Sequence, residues 1–300
     1  MIKIAWHPIY VHPLPAKHRF PMEKYELLPW QLKHEGSFEE SDFFRPQAIA
    51  QKDLLAVHDI DYWERLSQLK LDRQSQLKTG FPHTKELIQR ELIITGGSLE
   101  ASLHALKNGI AFNVAGGTHH AFSDRGEGFC LLNDIAISAT YLLNHSLCKQ
   151  ILVVDLDVHQ GNGTAKIFED EKRVFTFSMH GAHNYPLRKE KSDLDVPLKD
   201  HISGTEYLSL LKKHLPGLIE HLQADFIFYQ AGVDILETDK LGRLSVSMEA
   251  CKKRDAMVLE LAHSNNIPVM VSMGGGYSEE IKYIVDAHAN TYRLAKKIWS

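Results

Sequence analysis

Asp155, Asp157 and His159 stand two residues apart in ILVVDLDVHQGNGT, Ile151 to Thr164. On an extended backbone residues with that spacing project to one side. One carboxylate and one imidazole with a second carboxylate beside them are the makings of a metal site. The four residues before them, Ile151 to Val154, form a continuous β-branched and aliphatic run, which suits a strand buried on both faces of a parallel sheet. Gly161 and Gly163 follow and permit an abrupt turn. Ligands in open parallel sheets sit at the carboxyl ends of strands, so the metal reading fits the position. A strand-end Asp taken alone serves equally well as a helix cap or a turn residue.

Three other apolar runs end in unusual polar groups. Ile110 to Val114 leads into Ala115-Gly116-Gly117-Thr118-His119-His120, Asp225 to Tyr229 into Gln230-Ala231-Gly232-Val233-Asp234, and Pro268 to Met273 into Gly274-Gly275-Gly276-Tyr277. In a parallel sheet these ends share one edge, so the four loops can converge. A catalytic zinc needs three protein ligands and an open position, and Asp157, His159 and Asp234 are the natural trio. Of the paired histidines, one can act as general base toward water and the other as acid or electrostatic partner. Asp155 can hold His119 in a fixed tautomer. The Tyr277 hydroxyl can donate to a developing oxyanion, while Gly275 and its neighbours let substrate approach the backbone. Gly128-Phe129 can form one wall of a narrow apolar channel.

The elements that must position these groups alternate along the chain. Strands are expected at Ile2 to Trp6, at the four runs above and at Val174 to Ser178. Helices are expected at Met22 to His34, toward the end of Leu54 to Leu69, at Thr84 to Asn108 with an interruption at Gly96-Gly97, after a cap at Asn133 or Asp134, at Thr205 to Gln223 with a kink or break at Pro216, at Ser247 to Ser264, and at Ser278 to Lys297. Lys70 to Phe81 reads as a polar surface connection, and Gly181 to about Ser203 as a long loop. The alternation, with no linker or internal repeat, predicts one α/β domain over residues 1–300, layered around a mainly parallel sheet.

Composition narrows the function classes. The chain has 300 residues, 44% hydrophobic and 24% charged, and a net charge of −4 from 34 basic and 38 acidic residues. That balance argues against a general nucleic-acid binder. No apolar run reaches the roughly 18–20 residues of a membrane span, and the N-terminal MIKIAWHPIYVHPLP is too short in apolar length for a secretion signal. Cys130, Cys148 and Cys251 form no C-x-x-C pair and suggest a reducing compartment. A cytoplasmic location follows as the expectation.

The segments GTHHAFSDRGEGFCLLND, VVDLDVHQGNGT, YQAGVDILETDKLGRLS and MGGGY resemble the zinc-dependent histone deacetylase family, and most closely its class IV branch, which includes bacterial members. The likeness runs from about His12 to the final helix. It implies the three-layer arginase/deacetylase-type α/β fold and the hydrolysis of acyl-lysine amides or related acyl-amines. Carried over, Asp157, His159 and Asp234 match the zinc ligands, His119 and His120 the paired histidines, Tyr277 the carbonyl-polarising tyrosine, and Gly128-Phe129 the acyl-channel wall. A structural potassium ion is implied at Asp155, Asp157, His159, Ser178 and Met179, largely through backbone oxygens. Tyr185 is a candidate second wall. One position departs from the pattern: Asn162 stands where many members carry the carboxylate that partners the second histidine. An amide can orient His120 but cannot neutralise it when charged.

The expected activity is zinc-dependent removal of an acetyl or longer acyl group from lysine. Acylpolyamine hydrolysis is a second enzymatic reading, because the same site would accept a free diamine through a narrow entrance. A two-metal ureohydrolase fits less well, since Gln160 and Asn162 stand where bridging acids would be needed. A silent acyl-lysine reader is the alternative of a different class, and it leaves the occupants of every chemical role unexplained.

Overall fold

The computed structural model describes all 300 residues. Eight strands form one sheet: β1 (Lys3–Ala5), β2 (Phe43–Phe44), β3 (Ile110–Asn113), β4 (Ile151–Asp155), β5 (Val174–Gly181), β6 (Leu194–Leu198), β7 (Phe226–Gln230) and β8 (Val269–Ser272). Their order is β2-β1-β3-β8-β7-β4-β5-β6, and every pairing is parallel. The central strands β3, β4, β7 and β8 are buried along their whole length. Helices cover both faces, which is why these strands read as continuous apolar runs. Alternate residues of β4 enter different cores. Leu152 and Val154 join the larger cluster, while Ile151 and Val153 join the smaller one with Ile135, Ala139 and Leu142 of the helix Asp134–Asn144. The result is the three-layer α/β arrangement expected from the alternation of elements.

The four loops singled out by sequence follow β3, β8, β7 and β4. These strands are adjacent and occupy the middle of the sheet. Parallel pairing puts their carboxyl ends at one edge, so convergence follows from topology.

Several local readings change. The helix Lys85–Asn108 runs uninterrupted through Gly96 and Gly97. Those glycines serve close packing: a Cβ on Gly96 would lie 1.8 Å from the Gln47 carbonyl oxygen, and one on Gly97 would lie 2.4 Å from the Tyr10 hydroxyl. The polar segment 70–81 holds a helix, Arg73–Thr79, capped by the Asp72 carboxylate and ended by Gly80 in the left-handed region. The long loop after β5 contains the edge strand β6, whose pattern is broken by Pro197. Proline is tolerated there because an edge strand leaves one row of N–H groups unpaired. The two-residue edge strand β2 carried no readable periodicity. The helix Gly204–Leu222 continues through Pro216.

A buried ion pair ties the sheet to the site edge. Arg254, in the helix Met248–Ser264, is fully buried beside Asp255. Its guanidinium donates to the backbone oxygens of Leu156, Ala231 and Gly232, the segments that leave β4 and β7. Asp255 in turn accepts from the hydroxyls of Tyr229 and Thr291. Removing one partner leaves an uncompensated buried charge, which typically costs about 3–5 kcal/mol. Arg254→Met is therefore expected to lower unfolding free energy by that amount in urea titration. A loss below about 1 kcal/mol would show that this strut does not hold the loops.

Candidate active site

Asp134 builds the first wall of the site. Asn133 caps the helix Asp134–Asn144 through Ala136 N–H, which frees the Asp134 carboxylate to turn back. It accepts from the N–H groups of Gly117 and Thr118 and from the Thr118 hydroxyl, at 3.0, 2.8 and 2.6 Å. Gln230 Nε2 donates to the Gly117 carbonyl at 2.7 Å. The loop so anchored presents His119 and His120, both buried, with ring centroids 4.1 Å apart.

The two histidines have different partners. His119 Nδ1 lies 2.6 Å from Asp155 Oδ2, and His120 Nδ1 lies 2.7 Å from Asn162 Oδ1. Burial pushes His119 toward the neutral form, but the Asp155 charge and hydrogen bond outweigh it and hold its pKa at about 8. Burial acts on His120 too, and the charges of His119 and His159 add to it. The neutral Asn162 offers little in return, so His120 falls well below the usual histidine value. In that neutral form Nδ1–H donates to Asn162, leaving Nε2 with a free lone pair.

Asp157, His159 and Asp234 offer ligand atoms within 4.8 Å of one another, all buried. β4 ends at Asp155, and Asp157 to His159 form bends, so the strand alternation read from sequence does not itself aim these groups. Backbone donors do. Asp157 accepts from His159 N–H and Gly275 N–H at 3.0 and 2.8 Å, and Asp234 accepts from Val158 N–H at 2.9 Å. His159 Nδ1 lies 3.1 Å from Asp157 and 3.0 Å from Asp234. Burial and the Asp157 charge push Asp234 up to about 7, while the two carboxylates lift His159 to about 10. Two buried carboxylates thus compete for one positive charge. A cradle surrounds them: a Cβ on Gly232 would lie 2.2 Å from Asp157 Oδ2, and one on Gly275 would lie 2.0 Å from Asp234 Oδ2. This donor set fits one metal ion held by three protein ligands.

Tyr277 is half-buried, its ring 6.3 Å from that of His159 and 6.0 Å from that of Phe129. Burial and the charges of Asp157 and Asp234 hold its hydroxyl well above the usual tyrosine value, so it remains a donor. Phe129 has φ 67°, a conformation that costs a non-glycine residue about 1–3 kcal/mol. Its N–H donates to Thr79 O, and its ring packs 5.2 Å from Phe20 and 5.3 Å from Phe81. Tyr185, 38% exposed, stands edge-on to His120 at 5.0 Å and donates to Glu127 at 2.8 Å. Gly128, Phe129, Tyr185 and Tyr277 therefore border one opening, a cavity of about 330 Å³ reaching down to His120 and His159.

Sequence reasoning missed two groups here. Lys24 is fully buried, donates to Gly274 O at 3.1 Å and lies 5.4 Å from the centre of the Tyr277 ring. Burial lowers its pKa to about 8 against the pull of Asp234, Asp157 and Asp239. Asp239 accepts from Tyr277 N–H at 2.6 Å and from Leu241 and Gly242 N–H at 2.8 Å each. It lay inside a motif segment, so that signal was present. A lone lysine opening the helix Lys24–His34 gives none.

Residues 18–292 match the histone deacetylase domain. An uncharacterized protein of Picosynechococcus sp. (strain PCC 7002) is 40% identical over 99% of both chains. Histone deacetylase 2 of Arabidopsis thaliana is 29% identical over 92% of this chain and 74% of its own length. Among solved structures, an HDAC homolog complexed with SAHA superposes with a TM-score of 0.86 at 24% identity, covering 99% of this chain and 84% of that one. An HDAC homolog from Aquifex aeolicus gives 0.84 at 23% identity, over 98% and 84%. The two structures establish the arginase/deacetylase fold, and the domain match over nearly the whole chain establishes that this protein belongs to the histone deacetylase family.

Proposed function

We propose that the chain is a zinc-dependent amidohydrolase that removes acyl groups from lysine side chains. The observation that carries this reading is the meeting of two unlike histidine pairs, His119–Asp155 and His120–Asn162, with the Asp157/His159/Asp234 cluster, which an aromatic-walled opening reaches at His120 and His159. Zinc held by those three residues would act as a Lewis acid on the acyl carbonyl and ease deprotonation of water. His120, neutral with Nε2 free, takes the proton from the attacking water. His119, held as the imidazolium by Asp155, gives a proton to the departing amine. The Tyr277 hydroxyl donates to the carbonyl oxygen as charge builds on it. Phe129 and Tyr185 flank the lysine alkyl chain and exclude water, and Gly275 lets the acyl group come close to the backbone.

The reading includes a structural potassium ion at Asp155, Asp157, His159, Ser178 and Met179. In its support, β4 and β5 pair Asp155 with Ser178 in register. Placement in the class IV branch rests on the four motif segments alone. No helix is long and apolar enough to cross a membrane, and a cytoplasmic enzyme with one catalytic unit over residues 1–300 is part of the proposal.

Turnover of a fluorogenic acetyl-lysine peptide tests the activity. Tyr277→Phe is expected to keep the fold and lower kcat by about 10²–10³-fold, the usual effect of losing one oxyanion donor. Tight peptide binding by the wild type without any hydrolysis would identify a reader instead.

The division of roles between the histidines has its own pH signature. A general base must be unprotonated in the free enzyme, so its pKa sets the acidic limb of kcat/KM, and the acid sets the basic limb. Asn162→Asp places a carboxylate against His120 and favours its imidazolium. The acidic limb should then move to higher pH, by about 1 unit, the low end for a close charge pair. Asp155→Asn removes the charge that raises His119, and the basic limb should move to lower pH. An acidic limb that stays fixed in Asn162→Asp and moves in Asp155→Asn would reverse the assignment.

A further inference from the structure

The lip of the opening is cationic. Arg19, Lys78 and Arg243 line it, all exposed, and no carboxylate does. They come from three separate segments. Arg19 belongs to the N-terminal loop and places its guanidinium 5.0 Å from the centre of the Phe129 ring. Lys78 lies in the last turn of the helix Arg73–Thr79, and its carbonyl accepts from Gly128 N–H at 3.0 Å, which keeps it beside the channel wall. Arg243 follows the loop that carries Asp239, with Asp200 at 3.4 Å as its acid neighbour. Asp200 is shared with His183 at 3.2 Å, and an exposed pair of that length neutralises little. Glu127, behind Tyr185, is engaged by Arg125 and by the Tyr185 hydroxyl. In the adjoining groove the acids are Glu23 and Glu279, against Lys17, Arg19 and Lys240, and Glu279 faces Lys240 at 3.7 Å. The chain as a whole carries −4, so the positive lip is local.

From this we infer that the substrate is an acyl-lysine set among acidic residues of a peptide or protein, and that polycations, acylpolyamines included, are disfavoured. The inference rests on the deacylase reading above and selects among its substrates. A lysine buried to its acyl group leaves its flanking residues at the lip, where the three cations stand. Acidic flanks are attracted there, whereas the free ammonium groups of an acylpolyamine meet like charge as they enter. Complementarity of this kind acts mainly on encounter and orientation and weakens with salt.

The test compares kcat/KM at low ionic strength for acetyl-lysine peptides with aspartate, neutral or lysine flanks, and for N-acetylspermidine. Aspartate flanks should exceed lysine flanks by about tenfold, with N-acetylspermidine at or below the lysine peptide. About 0.5 M salt, where screening acts over a few ångströms, should bring the peptides together. The double variant K78E/R243E should invert the order. Each preference is a ratio taken within one preparation, so a change in folded fraction cancels. Equal or better use of lysine flanks or N-acetylspermidine by the wild type, or an order unchanged in the variant, overturns the inference while leaving the deacylase intact. Hydrolysis of none of the four substrates overturns both.

Discussion

Asp157 and Asp234 are two carboxylates buried in one small space, and the rest of the structure answers to that constraint. Burying an anion costs several kcal/mol even after relaxation, and a second beside it adds repulsion. Backbone N–H groups from His159, Gly275 and Val158 supply part of the compensation. They do not supply a full charge, and Asp234 is still driven up to about 7. The pair is stable as two anions when a cation stands between them. That arrangement requires the side-chain-free positions at Gly232 and Gly275, where a Cβ would enter the carboxylates themselves.

The same constraint reaches outward. The loops bearing the acids leave β4 and β7, and the buried Arg254 guanidinium gathers the carbonyls of both exits. On the other side, Asp155 is bonded to His119 and raises that histidine's pKa. Lys24 brings a further positive charge beneath Tyr277 without touching the cluster. Asp155 and Asp157, two residues apart, thereby face different histidines: His119 for the first, and His159, shared with Asp234, for the second.

Much of this was legible in the sequence. Four apolar runs ending in polar glycine loops gave the parallel sheet and its shared edge, and the trio Asp157, His159 and Asp234 came together as expected. The pairings His119–Asp155 and His120–Asn162 also appear. Other features depend on contacts that sequence spacing cannot express. Gly96 and Gly97 looked like a helix break because glycine weakens an isolated helix, yet they allow residues 46–49 and Tyr10 to pack against it. The aim of Asp157 and His159 comes from bends after β4 and from donors on distant loops, not from strand alternation. Lys24 is invisible by type, since a lysine is normally solvated, and only the tertiary structure encloses it. The cationic lip is assembled from residues 19, 78 and 243, too far apart in sequence for any local charge pattern to reveal it.

The most direct test of this account is the metal content of the purified protein, measured with turnover on the same samples. The account predicts one zinc ion per chain, with Asp234→Asn losing ion and activity together and added zinc restoring both to chelator-stripped wild type. Full turnover by metal-free protein, or two stoichiometric ions in the active form, would contradict it.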